Sequence, residues 1–553
     1  MTISDWRERD DFLDPGERPD LESCVREAVH LMPSVQPVGV AFVTEDEIVV
    51  AASANATEVL GRSVIGETVT ELLGRSAAAL MASARPVPVT IADTDLELRA
   101  HRSRTGPVVV EGCMTDRSEI DAAVVIGNVV RHIGAVGGLD ELLRSAATSV
   151  QEVLGFDRVW VYRFDQEFNE RVVAESVIGD LEPFLGLRFE EGDIPAQARA
   201  LFLENRVRIV RDATRNSITL EPSPLPDGRW LDTSDLTLRG VSPIHLTYLR
   251  NMNVTASASL AIVVNGALWG LISGHHYSGP RLLDSNAEYL AGLISDLVSM
   301  QVASIEEIGR ADIRRAHGHD VAEVLSAVGA GESVLDGLVE REQQLLRIAD
   351  ATGCSARLGG RTRSVGSVPP APVQNAIFRY LDADCGETAR DGPVQIESLG
   401  AVVGEAVGHE TVAAGVLALL LSRDVGNWIV WYRPEVIETV TYSYRPDLDV
   451  EVDGLNPHNS FAKYAATVRG RCTPWGDAAE VASELRSALG AIVFQQTEHL
   501  ARSAAALRVA NLELDRFAYV AAHDLNEPLR GIGNYVDLLR EDFGGVLGGD
   551  GVM

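Results

Sequence analysis

Five cysteines stand in 553 residues, at Cys24, Cys113, Cys354, Cys385 and Cys472. They are scattered, odd in number and without C-x-x-C spacing, which argues against a disulfide framework and against a zinc site. Cys24 is distinctive for its surroundings, an N-terminal arm without strong helix or strand pattern, reading Cys24-Val-Arg-Glu-Ala-Val-His30. The other stretch dense in chemistry runs from Asp193 to Arg211, D-I-P-A-Q-A-R-A-L-F-L-E-N-R-V-R-I-V-R. It is answered by Ser242-Pro243-Ile244-His245 and by Trp269-Gly-Leu-Ile-Ser-Gly-His-His276. Taken as residue types alone, Cys24 reads as an inert thiol, Arg208 and Arg239 as solvated cations, and Phe189 and Phe202 as core as readily as ligand wall. No nucleophile and base stand at a spacing usable by a small-substrate enzyme. A last candidate is His523, on a helical stretch with Asp524 beside it to orient or deprotonate it. Pro528, five residues on, frees the carbonyl of Asp524 and permits a bend.

The rest of the chain must position these groups. Its length predicts about three to five domains. A formal net charge of −32 repels phosphates and anionic lipid, so nucleic acid and membrane surfaces are poor partners. The longest apolar run, Val412 to Leu421, falls far short of the ~18 residues a membrane helix needs, and the acidic N-terminus lacks a signal peptide's apolar segment. A cytoplasmic location is expected.

In chain order, Gly39–Val43 and Glu47–Ala52 read as a hairpin turning at Thr44–Asp46. Helices are expected at Ala56–Leu60 and Val69–Met81, with strands near Val87–Ile91 and Val108–Glu111, a small PAS-type unit over 25–120. A second α+β unit opens with an amphipathic helix, Asp140–Leu154, followed by strands Arg158–Phe164 and Arg171–Ser176. Its strands Ser257–Val264 and Leu268–Gly274 flank Asn265-Gly266, a strong two-residue turn. A long helix from Ser285 to Gly309 leaves it. A third α+β unit holds an excursion after Trp428–Tyr432, and a long helix from Asp477 to about Asp542 carries apolar residues near heptad spacing, as a dimerising helix would.

Cys24–His30 with Val35-Gln36-Pro37-Val38-Gly39, Asp193-Ile194-Pro195, and Ser242-Pro243-Ile244-His245 with Leu-Thr-Tyr-Leu-Arg-Asn-Met252 resemble, in order, the attachment arm and two motifs of the bacterial phytochromes. The resemblance implies an α+β multidomain protein: an arm (1–24), a PAS domain (25–120), a GAF domain with connecting helix (130–310), a PHY domain (311–505) with a tongue at about 425–475, and a partial phosphoacceptor and dimerisation segment (506–553). It implies biliverdin as cofactor, joined by a thioether to Cys24, because the place where other members carry the attaching cysteine is Ile244. By the same carry-over Arg208 and Arg239, with Ser242, Ser257 and Ser259, meet the propionates; Asp193 and His245 serve the ring nitrogens; Ile194 and Pro195 complete the motif; His275 faces the ring D carbonyl; and Tyr162, Phe189, Phe202 and Tyr248 wall it. Red/far-red absorption and Z/E isomerisation between rings C and D are implied, relayed to a two-component output.

The chain departs from the family at Phe202, at Val38, at Thr441–Tyr444, and at Pro457-His458-Asn459-Ser460-Phe461, where an arginine is usual in place of His458. An imidazole there gives a weak or pH-sensitive contact to Asp193. Phe517–Arg530 resembles a sensor histidine kinase phosphoacceptor box around His523. No Asn- and Gly-rich ATP-binding segment follows Arg540, so self-phosphorylation is not expected: the chain is expected to be either a fragment of a kinase or a protein that works through partners, a response regulator or separate kinase, alongside a second copy of the chain. The rival reading is a GAF-type small-ligand sensor without photoactivity.

Overall fold

The computed structural model describes residues 6–17, 19, 23–83, 85–91, 94–116, 122–134, 136–165, 168–189, 194–331, 333–386, 388–421, 426–442 and 464–543. Asp193, His458 and Ser460 lie outside them. The chain divides into two compact units, Met1–Ala311 with Glu438–Val468, and Asp312–Ile437 with Arg469–Met553.

The first unit begins with strands β1 (Ser34–Val35), β2 (Gly39–Glu45), β3 (Ile48–Ser53), β4 (Val87–Ile91), β5 (Thr94–Arg102) and β6 (Val108–Met114). Further strands are β7 (Arg158–Phe164), β8 (Glu170–Val177), β9 (Leu187–Phe189), β10 (Val207–Val210), β11 (Ile218–Glu221), β12 (Ala256–Val264) and β13 (Ala267–His276). One sheet has the order β1-β11-β3-β2-β6-β5-β4. Its central β2 is an unbroken apolar run because both faces are covered: Val40 and Phe42 face short helices, Ala41 and Val43 face Leu220, Leu236 and Leu238. The helix expected over Val69–Met81 is two helices, Val69–Leu73 and Ala77–Met81. Gly74 takes a left-handed conformation that ends the first, and the Ser76 side chain caps the second by accepting from Ala79 N–H.

The second sheet runs β10-β12-β13-β7-β8-β9 and is extended by β19 (Glu438–Tyr442) and β20 (Tyr464–Val468), with β19 parallel to β9. Strand alternation divides its residues between two faces. Val159, Val161, Ala258, Leu260 and Ile272 pack beneath helices Leu139–Leu154 and Ser285–Ala330. Trp160, Tyr162, Ser257, Ser259, Ser273 and His275 occupy the opposite face. β12 and β13 meet at Asn265-Gly266, both with positive φ (52° and 79°), as the sequence pattern requires.

Between the sheets, residues 30–36 are gripped on both sides by the excursion that leaves β10. Leu220 N–H donates to Pro33 O (3.0 Å) on one side; Gln36 N–H donates to Leu238 O (2.7 Å) and Thr233 N–H to His30 O (2.7 Å) on the other. The buried Gln36 amide fixes the register, donating to Ile209 O and accepting from Arg211 N–H, both at 2.9 Å.

In the second unit the strands β14 (Gly353–Leu358), β15 (Arg361–Gly366), β16 (Val394–Ile396), β17 (Gly415–Leu420) and β18 (Trp428–Arg433) order as β15-β14-β18-β17-β16, with apolar clusters on both faces. Ser285–Ala330 is 46 residues long, well past the expected end at Gly309, because Val321, Val324 and Val328 continue its apolar spacing into the second unit's core. Helix Asp477–Phe543 spans 67 residues and runs through Pro528; His523 is exposed on it, 3.4 Å from Asp524.

Candidate functional site

A cavity of about 500 Å³ opens on the polar face of the second sheet, a size suited to a ligand of several rings. Three other pieces close it. Helix Ala196–Glu204, entered through Pro195, presents Gln197, Leu201 and Phe202. Helix Pro243–Asn251 starts with proline in its first turn, where no amide is needed, and presents His245 and Tyr248. The N-terminal arm brings Cys24, Glu27, Val29 and Met32.

The structure therefore places Cys24, Tyr162, Phe189, Ile194, Pro195, Phe202 and Arg208 on this cavity's wall, together with Arg239, Ser242, His245, Tyr248, Ser257, Ser259 and His275. Ile244 lines it too, offering no second nucleophile. Of the other candidates, Asp193, His458 and Ser460 fall outside the described residues, and His523 belongs to the second unit.

Cys24 sits on a single 3-10 turn, Cys24–Arg26, whose carbonyl accepts from Gln197 Nε2 at 2.8 Å, so the thiol-bearing turn is tied to the opposite wall. Arg208, paired across β10 and β12 with Ser259, donates from Nη2 to Arg239 O (2.8 Å) and Gly240 O (2.7 Å). Arg239 donates from Nη1 to Val29 O at 3.2 Å. Among the described residues neither guanidinium enters an ion pair. Burial, and after it the charges of Arg239 and Arg211, pulls Arg208 well below its ordinary value. Burial brings Arg239 down to about 10, with Asp232 and Glu27 opposing. Among the described residues their hydrogen bonds go to carbonyl oxygens, which leaves both guanidiniums suited to an anionic partner.

The aromatic end is built on edge contacts. Tyr162 meets Phe189 at 5.5 Å and 86°, and Trp160 meets His275 at 4.5 Å and 82°. Burial, then Arg158 and His245, pushes His275 well below the usual imidazole range. The surface of His245 opens into the cavity while protein encloses it; burial, then Arg208, lowers it to about 4. Both imidazoles are neutral near pH 7 and act as hydrogen-bonding groups rather than charges.

Two lining acids escaped the sequence reading. Glu27 bonds the Ser242 hydroxyl and lies near Arg239; burial raises its pKa, with Ser242 and Arg239 opposing. Its signal was its place three residues after Cys24, on the same turn. Glu170 is 2% exposed at the start of β8, and its signal was sharing strand parity with Val172, across from Tyr162.

Comparison with known proteins agrees with this architecture. Residues 24–110 match the PAS fold family, 138–302 the GAF domain, and 318–498 the phytochrome region. The chain is 32% identical to cyanobacterial phytochrome B of Nostoc sp., over 96% of this chain and 74% of that protein. It is 30% identical to a bacteriophytochrome of Xanthomonas campestris pv. campestris, over 82% of this chain and 76% of that one. Among solved structures, the photosensory core module of the Stigmatella aurantiaca phytochrome superposes with a TM-score of 0.76 at 31% identity, covering 87% of this chain and 99% of that one.

Proposed function

The chain belongs to the phytochrome family of red/far-red photoreceptors, and on that premise we propose that its bilin chromophore is biliverdin, joined by a thioether to Cys24. The observation that carries this is a juxtaposition: the Cys24 turn shares one cavity with two arginines that enter no ion pair among the described residues and with an aromatic end. Biliverdin is conjugated and mostly apolar, with two propionates and four nitrogens that share a positive charge when all are protonated. Arg208 and Arg239 would hold the propionates, with hydroxyls from Ser242, Ser257 and Ser259. Tyr162, Phe189, Phe202 and Tyr248 would flank the rings, neutral His275 would donate to the ring D carbonyl, and His245 would bond the ring nitrogens with Asp193.

The chromophore supplies the light-driven step, Z/E isomerisation between rings C and D. This chain's residues hold it in place: Gln197 fixes the sulfur-bearing turn, the arginines anchor the middle of the ligand, and the sheet's aromatic face bounds the end that turns.

Incubation with biliverdin, denaturation and zinc-induced fluorescence test the reading. A fluorescent adduct that disappears in Cys24→Ser supports it; no adduct and no red absorbance in the wild type would sink it and leave a small-ligand sensor. The domain partition at 24, 120, 310 and 505, the Asp193–His458 contact, and phosphotransfer at His523 to a response regulator or kinase are parts of the same proposal. So is a homodimer: helix Asp477–Phe543 exposes Leu512, Phe517, Leu525 and Leu529 along its length. No helix among the described residues is long and apolar enough to cross a membrane, and a cytoplasmic site of action is proposed.

A further inference from the structure

The N-terminal arm carries more than its thiol. Trp6–Glu8 form a 3-10 turn well before Cys24, and that turn is fastened to the last residue of helix Ala196–Glu204. Trp6 Nε1 donates to Glu204 Oε1 at 3.1 Å, and Arg7 grips the same carboxylate with both ends of its fork, Nη1 to Oε1 at 2.6 Å and Nη2 to Oε2 at 2.8 Å. Arg104, in the loop between β5 and β6, reaches Oε2 at 2.8 Å, and Arg7 also donates to Ser234 Oγ at 2.8 Å. The Glu204 side chain is only 10% exposed, which sets it apart from the loose surface pairs that contribute little. Burial alone would raise its pKa; hydrogen bonds from Arg7 and Trp6, with the charges of Arg7 and Arg104, outweigh that and hold it below its ordinary value, ionised near neutrality.

The same helix holds the arm a second time, where Gln197 Nε2 donates to Cys24 O at 2.8 Å. Gln197 and Glu204 are seven residues apart, two helical turns, so they share one face and stand about 10 Å apart along the axis. Between these two fixings the arm is closed on itself, with Leu13 N–H donating to Arg26 O at 2.8 Å. Trp6 is buried edge-on against His30, their ring centroids 5.0 Å apart. Trp6, Arg7 and Glu204 are not among the described residues that line the cavity. Whatever they do for a ligand passes through the arm and the helix.

We propose that Glu204 is a positioning residue for attachment: by gripping Trp6 and Arg7 it keeps the arm laid along the helix and the Cys24 turn against the cavity, so that the thiol meets a ligand already in place. The assignment rests on the biliverdin reading above. In the attachment step the S–H bond adds across a vinyl-derived double bond of ring A; sulfur bonds one carbon, the proton ends on the ligand, and no oxidant, reductant or leaving group is involved. Such a step gains from an arm ordered beforehand, because holding two reactants in register removes the entropy of bringing them together. Reversible binding needs no such register, since Arg208, Arg239 and the sheet wall are set by contacts of their own.

Two quantities separate this role from general stability: the rate of adduct formation with biliverdin, read by zinc-induced fluorescence of samples denatured over time, and reversible affinity, read by absorbance titration in a Cys24→Ser background. Glu204→Gln and Arg7→Met should each slow adduct formation by about tenfold or more, the scale of one charge-assisted hydrogen bond, while changing reversible affinity by less than about twofold. The double variant should be no slower than Glu204→Gln alone, because both changes break the same contact. Rates that stay at the wild-type value, rate and affinity falling by the same factor, or a double variant slowed by the product of the single effects would each overturn the assignment and leave the biliverdin reading standing. Should Glu204→Gln fail to fold, Arg7→Met decides by the same split between rate and affinity. A wild type that forms neither adduct nor red-absorbing complex overturns the biliverdin reading and this assignment with it.

Discussion

The guanidinium of Arg208 is held by the main chain of Arg239: Nη2 of one donates to the carbonyl oxygen of the other at 2.8 Å. Two partly buried cations are thereby set side by side, each lowering the cost of placing an anion between them. Arg208→Ala and Arg239→Ala should each weaken biliverdin binding by about ten- to a hundredfold, the loss of one charge-assisted contact. Titration followed by absorbance measures this. A ligand lacking carboxylates should lose little in either variant, and equal losses for both ligands would mean that the arginines only shape the cavity.

Glu27 makes loading depend on pH. Burial raises its pKa, so the folded chain keeps a proton that the unfolded chain has already released. Stability from this group is greatest below the ordinary carboxylate range, falls as pH rises toward the folded value, and is level above it. Ligand binding follows the same sign: an ionised Glu27 beside Arg239 competes with an anionic ligand, and binding takes up a proton. Affinity for biliverdin should fall as pH rises above the ordinary carboxylate range, by at most about tenfold per unit for one proton. Arg239 and the Ser242 hydroxyl face this group, and His245, brought down to about 4, is already neutral where Glu27 titrates. Glu27→Gln should bind with nearly pH-independent affinity; an unchanged slope would locate the proton elsewhere.

Local signals carried much of this molecule. The Asn265-Gly266 turn, the β7 and β18 runs and the amphipathic helix Leu139–Leu154 follow from residue pattern, because each is fixed by neighbours within a few positions. The grip of residues 209–241 on 30–36 was not legible, since no periodicity encodes a pairing between segments some two hundred positions apart. Arg208 and Arg239 as ligand contacts came only from family resemblance; alone, each is an arginine in a polar stretch. Glu27 and Glu170 were missed because an acid reads as surface, and only the packed sheet and arm reveal that these two are enclosed.

The arm and the cavity are coupled through one glycine. Gly240 N–H donates to Ser34 O at 2.8 Å, and a Cβ on Gly240 would stand 2.1 Å from Ser34 Oγ and 2.8 Å from Ser34 O. The hydroxyl can rotate away, but the carbonyl is main chain and is held from its other side by Leu220, whose N–H bonds Pro33 O. Gly240→Ala must therefore push residues 30–36 and the excursion apart, displacing Arg239 on one strand of contact and the Cys24 arm on the other. A destabilisation of roughly 1–3 kcal/mol is expected, as for a methyl forced into a packed site. Thioether formation should slow more than reversible ligand binding weakens, since attachment needs the arm in place and binding mainly needs the sheet wall. Gly127→Ala is the control: it lies in helix Ala122–Gly134 with nothing within 4 Å of the added methyl, and should be neutral or slightly stabilising. Urea midpoints and adduct rates for the two variants separate the cases. Equal midpoints would mean that the arm and the excursion slide past each other without resistance, and that the close approach of Gly240 to Ser34 does not hold the attachment site.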